Sequence, residues 1–291
     1  MLDLLQAISD GVLFGATYAL IGIGFTLVFG VMHKLNLAYA AASVGGAYCG
    51  LMLVKALLGT TPAWLVFACA FLAGGVLGLI VYVSCFHFIP LSNPLAPLMS
   101  TLGMLLLIDE IIVHATQGMP QNHPAVFDDV MLRAGDFTLR GDLLLVFGVS
   151  VVCMIALAAL LYRTRLGLAT RAVSQQPVAA QLCGIRVARV NAATFVITGL
   201  LGGLAGALIG ASVGALSPLL TTPLTVKGLI VTVIGGLGSI PGAILAGLLV
   251  GGLENVFQQF RGVTERDLYV MLLLFAFLIF RPGGLFGAKS E

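Results

Sequence analysis

The sequence has very few charged residues. Its 291 residues include 14 Lys plus Arg and 12 Asp plus Glu, which is 9% of the chain; ordinary soluble domains carry about 25%. Hydrophobic residues make up 59%, and the mean hydropathy is +1.11. So few charges cannot cover the surface of a 30.2 kDa soluble globule, which excludes an ordinary soluble enzyme. The net charge of +2, with no basic run interleaved with aromatic residues, gives no indication of nucleic-acid binding.

The sequence also lacks the motifs that would predict a metal or a catalytic site. Four of its five Cys lie in apolar stretches, and neither a CxxC pair nor a Cys/His spacing typical of zinc occurs. There is no G-x-x-x-x-G-K-[ST] phosphate loop, no HExxH and no Ser/His or paired Asp at matching depth for an intramembrane enzyme. We therefore expect no metal and no cofactor on this chain, and no catalysis by it.

Long stretches rich in Leu, Ala and Gly predict membrane-spanning helices, each about 20 residues long, rather than alternating barrel strands. Asp3 and Asp10 argue against a cleaved signal peptide, so the first stretch is expected to be a permanent crossing. The predicted fold is all-α and polytopic, a single transmembrane domain over residues 1–291 with eight or nine crossings and broken helices. The eight predicted spans are 11–31, 35–57, 62–88, 95–115, 143–162, 191–213, 240–260 and 267–280, and 226–236 is a doubtful short ninth.

Arginine-rich loops of membrane proteins stay in the cytoplasm. Residues 163–190 contain five Arg and no acid, whereas 116–142 contains four Asp against two Arg. We therefore place 163–190 inside and 116–142 outside. The C-terminus, with Arg281, is then inside only if 226–236 crosses the membrane, which we predict; a re-entrant loop there would leave it outside.

Small residues recur every fourth position in two segments, 199–215 and 243–255. Such rows let helix backbones approach closely in lipid. They predict either packing within the chain, which we favour, or a subunit interface.

The glycine-rich stretch GGLGSIPG, residues 235–242, interrupts an apolar segment. Broken helices in transporters present free backbone groups to a substrate, and the alternative is a tight turn between two helices. A similar interruption at 36–46 places polar Asn36, Tyr39 and Ser43 in apolar surroundings.

Three acids fall within predicted spans, where ionisable residues usually face a cavity or a partner. Asp109 and Glu110 lie near the outer end of the fourth span, within reach of the interface. Glu254 lies deeper and is expected to hydrogen-bond within the bundle, with Asn255 beside it. An alternative function follows from these residues: an ion-coupled secondary transporter with Asp109, Glu110 and Glu254 as proton or sodium sites.

The loop 163–190 contains a predicted helix of its own. Pro177 suits the first turn of a helix, the residues after it favour helix formation, and Gly184 can end it. An apolar helix outside the membrane, carrying Val178, Ala179 and Leu182, indicates a docking surface for another protein.

Nearly the whole chain resembles one known family, the LivH-type permease subunits of ABC importers for branched-chain amino acids and their relatives for urea, amides and small organic acids. The stretches that carry the resemblance are GVLFGATYALIGIGFTLVFGVMHKLN, the loop 163–190, TFVITGLLGGLAGAL, KGLIVTVIGGLGSIPGAILAGLLVGGLEN and RPGGLFG. Three features depart from the family pattern. The NFAHG-like sequence after the first helix is here NLAYA, and the acids that usually flank the loop proline are replaced by Gln176 and Val178. Asp109 and Glu110 are also unusual for the fourth span.

The resemblance implies partners and roles. The partners are a second, LivM-like permease, two cytoplasmic ATPases that bind ATP and Mg²⁺, and an extracytoplasmic substrate-binding protein, around a chain embedded in the lipid of a bacterial inner membrane. The implied ATPase-coupling residues are Arg171, Ala172, Gln175, Pro177, Ala179, Ala180, Gly184 and Ile185. The candidate translocation-pathway residues are Asn36, Tyr39, Ser43, Thr101, Ser239, Glu254 and Asn255.

Overall fold

The computed structural model describes residues 2–59, 61–89, 95–124, 131–134, 137–262, 265–281 and 283–286. Most of this part of the chain is helical, as predicted. The helices are α1 (Leu2–Met32), α2 (Ala38–Leu58), α3 (Ala63–Tyr82), α4 (Leu95–Thr116), α5 (Gly141–Arg163), α6 (Arg165–Gln175), α7 (Pro177–Leu182), α8 (Val187–Val213), α9 (Thr221–Gly235), α10 (Ile240–Arg261) and α11 (Arg266–Phe280).

Eight helical runs among the described residues are long and apolar enough to cross a membrane. All but the last residue of the doubtful segment 226–236 falls within one of them, Pro218–Gly235, in which a short 3-10 turn leads directly into α9. The predicted crossing 267–280 is α11, whose 15 residues give a length of about 22 Å, shorter than a hydrocarbon core of about 30 Å. The described residues therefore contain eight long helices, as expected, but Pro218–Gly235 is one of them and α11 is not.

Helix α1 is the most buried of these spans and lies at the centre of the bundle. It packs along α10 and also against α5, α8 and α9. A second group forms where α2, α3 and α8 pack against one another. Both groups belong to the same large core, so the described helices form one continuous packing unit around α1.

The rows of small residues pack inside the chain, which confirms the interpretation that we favoured. A Cβ added to Gly203 would collide with the Ala70 carbonyl oxygen of α3, and one added to Gly74 would collide with the carbonyl of Gly199. In the second row, Gly251 of α10 faces the backbone of Gly15 in α1 in the same way. Because backbones touch at these positions, the rows hold α3 to α8 and α10 to α1.

Some local structure was not predicted. Among the described residues, four short strands flank the bundle: β1 (Gln121–Asn122) pairs with β4 (Ala215–Leu216), and β2 (Met131–Ala134) pairs with β3 (Phe137–Arg140), both antiparallel. A π-helical turn, Val83–His87, extends α3. Helix α6 also lies in the loop that was expected to hold only one helix. Its N-terminus is capped by Thr164, whose Oγ1 accepts a hydrogen bond from Gly167 N at 3.1 Å.

Candidate functional site

The loop helix has the ends that the sequence predicts. Pro177 occupies its first turn, and Gly184 follows it with a φ of 84°, a backbone conformation that a glycine adopts without strain. Gly184 N donates to the Gln181 carbonyl at 2.9 Å, and Ile185 N donates to Ala180 at 3.0 Å. These bonds use carbonyls that a helix end would otherwise leave free. Helix α7 is therefore a fixed short helix between α6 and α8.

The outer face of α7 is apolar and exposed. Val178 is 67% exposed and Leu182 is 86% exposed, with Ala179 between them also exposed. Ala180 differs from the prediction of a partner contact, because it is only 4% exposed and packs in a cluster with Val173 of α6. Among the other predicted coupling residues, Ala172 and Ile185 are half-buried, and Arg171, Gln175, Pro177, Ala179 and Gly184 are exposed.

The GGLGSIPG stretch forms a tight turn between α9 and α10. Gly236 and Gly238 have φ values of 99° and 86°, and Ser239 caps α10 by accepting a hydrogen bond from Gly242 N at 3.2 Å. A Cβ on Gly242 would collide with the Gly235 carbonyl, so this turn needs glycine at positions 235 and 242. The structure thus takes the alternative that the sequence left open, a turn rather than an unwound helix.

The chain after α11 returns to this turn. Leu285 N donates to the Ile234 carbonyl at 2.8 Å, and Phe286 N donates to the Gly235 carbonyl at 3.2 Å. Two carbonyls at the C-terminal end of α9 are therefore occupied by the chain itself. Residues 284–286 consequently lie at the same end of the bundle as the α9–α10 turn.

A cavity of about 410 Å³ joins this turn to the loop helices. Its walls come from α1, the end of α5, α6 and the turn, and its polar members are Thr26, Thr170, Arg171, Ser174 and Ser239. The Arg171 guanidinium also lies 5.2 Å from the centre of the Tyr162 ring. We call the region formed by residues 163–190 and the α9–α10 turn the loop end, and this space the loop-end cavity.

Charged side chains meet near the other end of α10. Glu254 Oε1 lies 2.7 Å from Lys227 Nζ and 2.8 Å from Arg266 Nε, and it accepts a hydrogen bond from the Tyr18 hydroxyl at 3.2 Å. Lys227 Nζ also lies 3.0 Å from Asp267 Oδ1. We call these five residues the charge cluster and the region around them the charged end. The cluster confirms that Glu254 hydrogen-bonds within the bundle.

The Lys227–Glu254 pair within the charge cluster is buried, and the cluster as a whole is balanced in charge. The side chains of Lys227 and Glu254 are 7% and 5% exposed, so water screens their attraction weakly. Two cations, Lys227 and Arg266, face two anions, Glu254 and Asp267. A balanced set avoids the large cost of an isolated buried charge. The cluster therefore ties α9, α10 and the start of α11 to α1.

A second cavity, of about 260 Å³, opens beside the charge cluster. Its polar lining residues are Asp10, Arg140, Ser212, Glu254, Asn255, Gln258 and Arg266. Asn255 Nδ2 donates to the Ala7 carbonyl at 3.0 Å. Asp10 here and Thr26 in the loop-end cavity are 16 residues apart on one helix, about 24 Å along its axis. The two cavities therefore lie at opposite ends of α1.

The predicted pathway residues do not meet in one place. Tyr39 and Ser43 are buried between α1 and α8, where the Tyr39 ring stacks edge-on against Phe25 at 5.0 Å and Ser43 Oγ donates to the Tyr39 carbonyl at 2.9 Å. Thr101 is fully buried and donates to the Leu98 carbonyl. Asn36 is buried just before α2, Ser239 lines the loop-end cavity, and Glu254 and Asn255 line the charged-end cavity. Their shared role in a pathway stays a prediction.

Comparison with known proteins decides the family. Residues 7–280 match a family model described as a branched-chain amino acid transport system permease component. The chain belongs to this family. It is 29% identical to the permease LivH of Escherichia coli K12 and to BraD of Pseudomonas aeruginosa, with 97% of this chain and 95% of each relative covered. LivH of Methanocaldococcus jannaschii is 25% identical over 96% of this chain and 91% of its own.

Solved structures show the same fold for this permease. A chain of PsaBC from Streptococcus pneumoniae in complex with a Fab superposes with a TM-score of 0.51 at 14% identity, covering 96% of this chain and 92% of the other. A chain of a metal-chelate type ABC transporter in an inward-facing conformation gives a TM-score of 0.52 at 16% identity, covering 95% and 87%. The permease is thus a multi-pass integral membrane protein with the fold of an ABC transporter membrane subunit.

The acids of α4 lie apart from the charge cluster. In the part of the permease that the structure describes, the side chains that contact Glu254 come from α1, α9 and α11, whereas α4 packs chiefly against α2. Glu110 is exposed and Asp109 is half-buried. The three acids of the ion-coupled alternative therefore do not form one site.

Sequence reasoning missed Lys227, although a signal for it was present. It is the one charged residue between Val190 and Leu253, in a stretch otherwise free of Asp, Glu, Lys and Arg. A lone intramembrane lysine needs an acid, and Glu254 is the next charged residue along the chain. The pairing of the two could have been inferred from that rule.

Proposed function

We propose that this permease is the membrane subunit of an ABC importer that moves branched-chain amino acids or similar small polar solutes into the cytoplasm. A second, LivM-like permease, two ATPases that bind ATP and Mg²⁺, and an extracytoplasmic binding protein complete the importer. Its place is the bacterial inner membrane, with residues 163–190 and the C-terminus in the cytoplasm. The observation that carries the proposal is the exposed apolar face of α7, in a chain of the branched-chain amino acid permease family.

The exposed face of α7 needs a partner. Transferring a Val or Leu side chain from water into a packed contact is worth about 1.5–3 kcal/mol, so Val178 and Leu182 provide a strong reason for association. The loop that carries them has five Arg and no acid, which favours the cytoplasmic side. A cytoplasmic ATPase with an apolar groove fits both properties.

The loop end also provides a mechanical route into the bundle. Ala180 of α7 packs in one cluster with Val173 of α6 and Leu161 of α5. Helix α6 in turn lines the loop-end cavity together with Ser239 of the α9–α10 turn. A displacement of α7 by the ATPases would therefore shift α5, α6 and the turn together. Rigid-body rocking of two permeases in this way gives alternating access.

The position of the C-terminal residues supports the proposed orientation. Helix α11 begins at Arg266 in the charge cluster, and residues 285 and 286 bond to the last turn of α9. The chain from 266 to 286 therefore runs from the charged end to the loop end. If residues 163–190 are cytoplasmic, residues 284–286 are cytoplasmic too.

The test is copurification of the tagged permease from detergent-solubilised membranes, with masses for the proteins that accompany it, followed by uptake into proteoliposomes. We expect two ATPases and a second permease, and uptake that needs ATP. A chain that purifies alone and transports with an ion gradient would overturn the proposal in favour of a secondary transporter.

A further inference from the structure

The charged-end cavity presents both signs of charge to one small space. Asp10 and Glu254 supply carboxylates, and Arg140 and Arg266 supply guanidiniums. A site for a simple cation or a simple anion would be lined by one sign. The loop-end cavity, by comparison, has Arg171 as its one charged lining residue among those described.

Each of the two carboxylates that line the charged-end cavity has a buried oxygen without a hydrogen-bond partner among the described residues. Glu254 is 3% exposed and binds all its partners through Oε1, while Oε2 has no hydrogen-bond partner among the described residues. Asp10 Oδ1 is likewise buried without one. A buried carboxylate oxygen without a donor is unusual, because lost hydration is normally replaced. A ligand ammonium group, with three donors, supplies the kind of donor that these oxygens lack.

A ligand carboxylate would need hydrogen-bond donors, and Arg140 provides them. Its Nη2 lies 3.4 Å from both Asp142 Oδ2 and the Ser212 carbonyl oxygen, distances that leave the contacts weak, and its side chain is 53% exposed. An arginine offers five donors in a fork that matches a carboxylate. Arg140 therefore retains donors for a second carboxylate at the cavity mouth.

The remaining walls and the size limit the ligand. Phe14, Leu143 and Val213 provide apolar surface. A volume of about 260 Å³ lies below the range of drug-sized pockets, which begins at about 300 Å³. The cavity suits a small metabolite with one ammonium, one carboxylate and a compact apolar group.

We propose that the charged-end cavity binds a zwitterionic α-amino acid with a branched apolar side chain, within this one chain. Its ammonium lies at Glu254 and Asp10, and its carboxylate lies at Arg140. This inference rests on the proposed function and adds a substrate site inside the permease, separate from any path between two subunits.

Binding of radiolabelled L-leucine to the purified transporter in nanodiscs, without the substrate-binding protein, tests the proposal. The competitors are 4-methylpentanoate, which lacks the ammonium, and isoamylamine, which lacks the carboxylate. We expect each analogue to compete at least 100-fold more weakly than leucine. Absence of leucine binding, or an amine that competes as well as leucine, would overturn the inference.

Variants at the cavity mouth locate the site without breaking the charge cluster. Asp10→Asn and Arg140→Gln should each weaken leucine binding at least tenfold, and Glu110→Gln on α4 should leave it unchanged. Thermal unfolding of each variant shows that it is folded. Parent-like binding by both mouth variants would contradict the proposed site.

The two proposals fail in different ways. ATP-driven uptake by a complex whose permease does not bind leucine at this cavity overturns the inference and leaves the importer standing. Uptake that does not depend on ATP overturns the importer itself, whatever the permease binds.

Discussion

The two ends of the bundle are built by different means. At the loop end, backbone geometry sets the structure: glycines at positive φ form the α9–α10 turn, and Pro177 and Gly184 delimit α7. At the charged end, side chains distant in sequence set it, since Glu254 joins Lys227, 27 residues away, and Tyr18, 236 residues away. The loop end should therefore be sensitive to added volume, and the charged end to changed charge.

The largest expected effect is the loss of charge balance at the charged end. Replacing Glu254 with Leu leaves Lys227 and Arg266 against Asp267 alone. Removing one partner of a buried ion pair costs about 3–5 kcal/mol of the free energy of unfolding. We expect Glu254→Leu to lower the unfolding temperature strongly in a fixed detergent and Glu254→Gln to do so less, because the amide keeps an acceptor.

A double variant separates charge imbalance from lost packing. Lys227→Met combined with Glu254→Leu leaves Arg266 and Asp267, an opposite pair 3.7 Å apart. It should be more stable than Glu254→Leu alone, although it carries two substitutions. A double variant less stable than the single one would show that packing, and not charge, dominates this end.

Transport that survives Gln but not Leu at position 254 would identify the Glu254 side chain as structural.

The next largest effect is added volume at the loop end. Gly242→Ala places a methyl group against the Gly235 carbonyl, and overpacking of this kind costs about 1–3 kcal/mol. The matched control is Gly103→Ala on α4, where a Cβ meets nothing within 4 Å. The control should be neutral or slightly stabilising, because alanine favours helix more than glycine does. Equal unfolding temperatures for the two variants would contradict the close contact.

The different construction of the ends explains what the sequence could predict. The ends of α7, the interruption at GGLGSIPG and the long apolar helices follow from local signals, namely proline, glycine and hydrophobic runs, although the sequence left open whether the interruption is a turn or an unwound helix. The pairing of Lys227 with Glu254 could have been inferred from their isolation among apolar residues. The addition of Tyr18 and Arg266 depends on how α1, α9, α10 and α11 pack, which no local signal gives. Similarly, the burial of Ala180 could not be predicted, because Ala180 packs against α6, a helix that the sequence analysis missed.

A smaller effect concerns pH at the charged end. His123 is 5% exposed, its backbone N–H donates to the Gly214 carbonyl, and burial lowers its pKa, although a contact with the Pro124 carbonyl partly opposes this. Just below about pH 6.5, the imidazole is therefore still neutral in the folded chain but becomes protonated in the unfolded chain. Stability contributed by this group is full above about pH 6.5 and is lost below it, by at most about 1.4 kcal/mol per pH unit.

The measurement is the unfolding temperature from pH 7.5 to 5.5, compared between the parent and His123→Phe. The variant keeps a ring beside Phe67, whose centre lies 5.8 Å from that of the imidazole. Its stability should fall less on acidification than that of the parent. An unchanged pH dependence would show that His123 does not contribute to it.

The smallest expected effect on stability accompanies a large effect on coupling. Ala179→Arg changes an exposed residue of α7 and should alter the free energy of unfolding by no more than about 0.5 kcal/mol. In the proposed importer it places a bulky charge within a packed contact, so copurification of the ATPases and ATP-driven uptake should be lost. Ala115→Arg, at an exposed alanine on α4, is the matched control and should retain both. Normal uptake by Ala179→Arg would mean that the apolar face of α7 does not receive the ATPase, and the loop end would then be only a connection between α5 and α8.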